Sequence, residues 1–408
     1  MARENRRPCS RLGSEWSVLR ISHPNLWGIL GMDLPFFRFG VLEWTLGRWD
    51  RDGANVKRKS WQALCLSSRR LVCLVSVWGL LVPSLDSGAE PQPSPPDEKA
   101  WASLGAALFI DTSLSADGKV ACATCHPPDA AFTDGKPVSR GVFDRTGTRN
   151  VPSLWGLASA REFFWDGRRA SLETLMFDPL TTAEEHGMEG EEAVISSVQA
   201  RYSAEFERLF PGRGATRETV SRVLAAYVRQ QVPPPSPFEQ FLSGDAQALR
   251  PEQRRGFALF TGRAGCARCH PPEGGAFTDG SYHAGEISAA LIAKQAGAAR
   301  ELALLDPGAR RAAVSARAEV AALGRYVVTL RASDLGRFRT PSLRNVAVTA
   351  PYMRDGSVPT LIQAVERELY YRLPEGLQVG DMTPSERSDI VAFLHSLTSP
   401  AASTGIGR

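Results

Sequence analysis

A chain of 408 residues has room for two or three domains, and 43% apolar content is enough to fill real cores. The formal net charge is only +4, and the basic residues are dispersed along the chain. That excludes the dense basic stripe of a nucleic-acid binder, so no nucleic-acid partner is expected.

In chain order, residues 1–56 are rich in Trp and Arg and show no clear period. They read as a mis-annotated extension, with Val56 as the alternative start. Residues 57–89 read as a signal peptide. Lys57, Arg58, Lys59, Arg69 and Arg70 precede the apolar run "LVCLVSVWGLLV" (71–82), and "SGAE" offers small residues for cleavage after Ala89. An apolar run of twelve is short for a membrane span, which needs about 20 residues. A retained anchor or a buried helix is the alternative reading of this stretch. The expectation is export to the periplasm, with membrane contact only through the uncleaved signal. Of the seven cysteines, Cys9, Cys65 and Cys73 precede residue 90, and the other four lie in two C-x-x-C-H segments. The mature chain is therefore expected to hold no disulfide.

The Pro-rich stretch 90–98 reads as a linker. "EKAWASLGAALFID" then starts a helix, with Trp101, Leu104, Gly105, Leu108 and Phe109 at helical spacing. "CATCHPPDAAFTDG" (122–135) follows, then "VPSLWGLASAREFFWDGRRASL" (151–172), then helical stretches around 191–209 and 217–231. After "VPPPSP" (232–237) the same order begins again. "GFALF" mirrors "GAALF", "CARCHPPEGGAFTDG" (266–280) mirrors the first cysteine segment, and "TPSLRNVAVTAPYMRDGSVPTL" (340–361) matches 151–172 without a gap. Residues 286–325 are an Ala- and Arg-rich insertion whose helices break at "DPGA". Shared order over so many landmarks indicates duplicated domains, placed at 99–240 and 241–400. The fold class is mostly α, two tandem c-type cytochrome domains with long loops. No sustained two-residue alternation supports a large sheet.

C-x-x-C-H places two thiols where each can add to a vinyl group of one haem, with the following His beneath the iron. A zinc half-site or a redox pair is the alternative for one isolated motif. Two copies, each after a helix in an exported chain, point to two covalently bound c-type haems. The anchors are Cys122, Cys125, Cys266 and Cys269, and the iron ligands are His126 and His270.

"CATCH", "TRNVPSLWG", "FFWDGRRASLETLM", "EEHGM", "SPFEQFLSGD", "GCARCH" and "FRTPSLRNVAVTAPYMRDG" together resemble the bacterial dihaem cytochrome c peroxidases and their MauG-like relatives over about residues 99–398. The resemblance implies an oxidoreductase. A C-terminal haem would take electrons from a small cytochrome or copper protein, and an N-terminal haem would reduce hydrogen peroxide to water. MauG-like members instead oxidise a protein substrate, and a non-enzymatic dihaem carrier is a further alternative. A homodimer is compatible with the family. The resemblance assigns Trp165 as the bridge between haems, Glu185 as the distal acid, and Arg168 as partner of a haem propionate or an Asp. It implies a calcium ion held by Asn150 and the carbonyls of Thr349 and Pro351.

Two departures from the family pattern matter. Some dihaem peroxidases carry a distal His before R-N-x-P; the stretch 138–150 here has Arg140 and no His. An open N-terminal iron is therefore expected. Seventeen residues after Pro351, where the family keeps the sixth ligand of the second haem, stands Glu368. Tyr371 and Tyr370 rank first as that ligand, Glu368 second and Met353 third. Bland roles are expected for His186, His283 and His395, and Arg354 stands where relatives often have His.

Overall fold

The computed structural model describes residues 95–284, 289–372 and 378–400, all within one unit, Asp86–Arg408. The extension expected at 1–56 and the signal expected at 57–89 lie outside the described residues. Among those residues no helix is long and apolar enough to cross a membrane.

Helix α1 spans Pro95–Phe109. It begins inside the stretch assigned to a linker at 90–98, because Asp97 and Glu98 in its first turn complement the exposed N–H groups there. Short helices α2 (Cys122–Cys125), α3 (Leu172–Leu175) and α4 (Phe177–Thr181) follow, separated by irregular chain. The longer α5 (Glu191–Leu209) and α6 (Arg217–Arg229) complete the first half. Thr216 caps α6 by accepting the Thr219 N–H. Then come α7 (Pro237–Leu242) and α8 (Pro251–Thr261). The insertion forms α9 (Ala289–Ala303), α10 (Pro307–Ala316) and α11 (Ala318–Ala321), and α12 (Tyr326–Thr329) follows it. The break between α9 and α10 falls where Asp306 accepts the N–H groups of Gly308 and Ala309 at 2.8 and 3.0 Å. The chain ends in α13 (Leu361–Arg372) and α14 (Pro384–His395).

The fold is mostly helical. Strands β1 (Tyr282–Ala284) and β2 (Arg337–Arg339) make one antiparallel pair, with His283 opposite Phe338.

Helix α1 packs on α6, and α8 packs on α14 in the same manner. A Cβ on Gly105 would stand 2.1 Å from the Val223 carbonyl oxygen, and one on Gly256 would stand 1.9 Å from that of Asp389. Only glycine permits backbones so close. One core gathers Trp101, Leu108, Phe177, Phe206 and Leu224. A second gathers Phe238, Phe260, Phe277 and Phe393 as a cluster of edge-to-face and tilted rings. The insertion has a smaller core of its own around Leu302, Val314, Val320 and Leu323.

The matched segments share backbone geometry as well as letters. Phe132 and Phe277 both take a positive φ, of 56° and 50°, as do Phe164 and Met353, at 66° and 71°. Gly156 has its counterpart in Asn345, and both are left-handed. Asn is among the few residues that tolerate that conformation in place of Gly.

Candidate functional site: a cavity shared by the two C-x-x-C-H segments

The two C-x-x-C-H segments open onto one cavity of about 1290 Å³. That exceeds the roughly 300–1,000 Å³ of a site for one small molecule. Its lining includes Cys125 and His126 on one side and Cys266, Cys269 and His270 on the other. Cys122 stands just behind this lining, its sulphur 3.9 Å from Nε2 of His186.

Each motif histidine is held in the same way. His126 Nδ1 lies 2.9 Å from the Phe132 carbonyl oxygen, and His270 Nδ1 lies 2.8 Å from that of Phe277. A carbonyl can only accept, so each Nδ1 carries the proton and each Nε2 keeps its lone pair for a metal. Burial pushes both imidazoles toward the neutral form that ligation requires. The positive-φ Phe of each A-F-T segment turns its carbonyl to that nitrogen. The loops are tied down by matching bonds: Ser153 Oγ donates to Ala131 O at 2.7 Å, and Ser342 Oγ donates to Ala276 O at 2.6 Å. Thr133 and Thr278 add a second matching pair, to Val151 O and Thr340 O.

The residues fit haem attachment better than the redox-pair alternative. A reactive C-x-x-C pair has a lowered thiol pKa. Here burial pushes Cys122 and Cys266 up to about 12, and Cys125 up to about 11. Thiols held protonated in this way do not suit a redox pair.

Glu185 lines the cavity close to Cys122 and Cys125. Burial raises its carboxyl to about 7; Arg168 opposes that rise, while Asp178 and Glu184 add to it. The group is therefore poised to hold or release a proton near neutrality. Its backbone is clamped by the preceding loop. Val142 N–H donates to Glu185 O at 2.9 Å, and a Cβ on Gly141 would meet that oxygen at 2.4 Å. Arg140 turns outward and pairs with Asp144 at 2.5 Å, both exposed.

Trp165 also lines the cavity, and its indole N–H donates to Asn150 O at 3.0 Å. Arg168 pairs with an Asp. Asp166, fully buried, accepts from Arg168 at 3.1 Å and from Arg149 at 2.8 Å. The Arg168 guanidinium also lies 3.4 Å over the Phe164 ring.

Asn150, Thr349 and Pro351 line the same cavity. The Asn150 amide nitrogen donates to Lys136 O at 2.9 Å, so that its oxygen is the atom that could face a hard cation.

Of the residues ranked as sixth ligand of the second haem, Glu368, Tyr371 and Met353 reach the cavity. Tyr370 does not; it is 72% exposed. Consecutive helical residues lie 100° apart, so the α13 helix cannot turn both tyrosines inward. Glu368 is ion-paired with Arg372. His283 lines the cavity and pairs with Asp279 at 2.7 Å, and His395 is exposed on α14.

Sequence reasoning missed the buried Arg149 and the part played by Asp166. The signal available was that Asp166 and Asp355 recur in the matched segments; the arginine fork on Asp166 has no counterpart in the letters around Asp355. It also missed that Thr148 Oγ1 donates to Val314 O at 2.7 Å, which seats the insertion beside the cavity.

Residues 99–247 match the family model described as di-haem cytochrome c peroxidase. The chain is 34% identical to the cytochrome-c peroxidase IdrP2 of Denitromonas iodatirespirans, over 81% of this chain and 93% of that protein. It is 33% identical to the methylamine utilization protein MauG of Methylorubrum extorquens, over 74% of this chain and 79% of that protein. Among solved structures, a MauG-like protein associated with microbial copper homeostasis matches with a TM-score of 0.58 and 26% identity, over 79% of this chain and 96% of that one. With these relatives and a cavity bounded by two C-x-x-C-H segments, the chain belongs to the di-haem cytochrome c peroxidase family.

Proposed function

We propose that this protein is a periplasmic peroxidase that reduces hydrogen peroxide to water with electrons from a small cytochrome or copper protein. The observation that carries the proposal is Glu185, a carboxyl that burial holds near a neutral pKa, lining the cavity close to the first C-x-x-C-H cysteines. Two c-type haems attached at Cys122 and Cys125 and at Cys266 and Cys269 would supply redox-active iron over His126 and His270. Reducing one peroxide to two waters takes up two electrons and two protons. Glu185 can accept the peroxide proton and return it to the departing oxygen. Trp165, pinned to Asn150, stands in the cavity wall as the aromatic bridge between the halves. Asp166 holds Arg168 beside the pocket, where that cation partly offsets the effect of burial on the Glu185 carboxyl.

The recurring bonds support reading 99–240 and 241–400 as two c-type cytochrome domains. The oxygen of Asn150, with the carbonyls of Thr349 and Pro351, suits calcium. The basic, apolar, small-residue order at 57–89 supports export.

A MauG-like oxidation of a protein substrate is the second reading. It is favoured by Tyr371, an oxygen donor in the cavity lining, and by the absence of His from 138–150.

The deciding experiment mixes purified holoprotein with hydrogen peroxide in a stopped-flow spectrometer, with and without reduced cytochrome. Steady turnover with cytochrome is expected. A long-lived oxidised product that ignores cytochrome would favour the second reading, and no reaction would leave an electron carrier.

A further inference from the structure

We propose that His186 is a positioning residue that sets where the Glu185 carboxyl stands in the cavity; this rests on the reading of Glu185 as the proton carrier. His186 is 4% exposed and does not line the cavity. Its Nδ1 lies 2.8 Å from the Leu114 carbonyl oxygen, so Nδ1 carries the proton and donates. Its backbone is tied on both sides: the His186 carbonyl accepts the Ala116 N–H at 2.9 Å, and the His186 N–H donates to Pro179 O at 3.2 Å.

Glu185 is the next residue, and its own backbone is held from the opposite direction. Glu185 N–H donates to Thr182 O at 3.0 Å, and Glu185 O accepts from Val142 at 2.9 Å. The turn carrying the acid is therefore strung between the 114–116 segment and the 141–142 loop. The imidazole of His186 is the side-chain anchor on the first of these. The charged and titratable groups around the pair are Arg168, Asp178, Glu184, Cys122 and Cys125 near Glu185, with Asp117, His126 and Cys122 near His186.

Removing the imidazole would leave the Leu114 carbonyl unpaired in a buried place and free the turn to shift. A displacement of about 1 Å of a catalytic group can cost about 100-fold in rate.

The test compares H186L, H186N and E185Q in the haem-loaded protein. H186N keeps an N–H donor where Nδ1 stands; H186L keeps the bulk and loses the donor. Four readouts are taken: haem content, the rate constant for reaction with peroxide, its pH midpoint, and the KM for reduced cytochrome. H186L is expected to slow the peroxide step by about 100-fold and to move its pH midpoint, with two haems retained and the cytochrome KM unchanged. H186N is expected to restore the rate to within about threefold, the scale of one modest hydrogen bond. A wild-type rate in H186L overturns the proposal, and so does an H186N that falls as far as H186L. If E185Q slows and H186L does not, positioning fails while the acid role stands. If E185Q reacts at the wild-type rate, both fall. Should H186L lose haem, H186M, which likewise lacks a donor, is judged by the same criteria.

Discussion

Trp165 and Arg354 hold the same place in the two matched segments, and each gives its backbone carbonyl to the opposite half. The Arg339 N–H donates to Trp165 O at 2.9 Å, and the Asn150 N–H donates to Arg354 O at 2.8 Å. Asn150 and Arg339 are themselves equivalent positions. The glycines repeat the exchange: a Cβ on Gly167 would strike Tyr282, and one on Gly356 would strike Pro137, with Tyr282 and Pro137 again equivalent. This is the reciprocity of a two-fold interface, residue i on j and j on i, realised inside one chain. Trp165 thus stands beside a pseudo-two-fold junction and is held by its backbone as well as its indole.

Trp165→Phe keeps an aromatic ring and removes the donor to Asn150. Stability should fall by about 1 kcal/mol, the net worth of one hydrogen bond. Chemical denaturation checks that figure. Turnover with reduced cytochrome should slow while both haems stay attached; unchanged turnover would remove Trp165 from the electron path.

Burial alone would raise the Asp166 carboxyl, but Arg168 and Arg149 outweigh it and bring the group down to about 2. A folded-state pKa below the unfolded value near 3.8 gives stability that is present above that value. It is lost as pH falls from there toward 2. Asp166→Asn should cost about 3–5 kcal/mol, because two buried guanidinium groups lose their carboxylate. It should also flatten the acid limb of the stability curve. Thermal melts of both proteins between pH 2 and 6 measure the two effects together.

Glu185 has the opposite sign. Its folded pKa is raised to about 7 from the ordinary 4.5, so the folded state keeps a proton that the unfolded state has released. Its contribution to stability is full below 4.5 and declines as pH rises to 7. Glu185→Gln should therefore gain melting temperature relative to the wild type at pH 8 more than at pH 5. The same variant should slow the peroxide step by about 100-fold or more. A melting difference independent of pH would contradict the protonated state assigned here.

Gly105→Ala and Gly256→Ala each force a Cβ into a facing carbonyl at 2.1 and 1.9 Å. Each should destabilise by about 1–3 kcal/mol through separation of its helix pair. Because the two pairs lie in separate cores, the double variant should show nearly additive losses in denaturant titrations.

Much of the site was legible in local patterns. C-x-x-C-H marks a cysteine–histidine site within five letters, and repetition of P-S-L and D-G at equal spacing marks the second copy. Both are short-range facts that the chain states without folding. The choice of Glu185 came from the resemblance of its motif, but its raised pKa could not, since that depends on desolvation in the folded chain. Glycine at 105 and 256 could be read as a repeat, yet only the packed helices show why no other residue serves there.

Amino-acid order alone determined the family, the two attachment motifs and the helical character, because each is written in residues that are close together in the chain. The tertiary structure decided which candidates meet. It turned Tyr371 toward the cavity and left Tyr370 outside, since helix phase separates adjacent residues. It set Arg149 on Asp166 and gave Trp165 and Arg354 their reciprocal bonds. Those pairings join residues far apart in sequence. Distances of that kind are fixed by how helices and loops pack, and by no local pattern of letters.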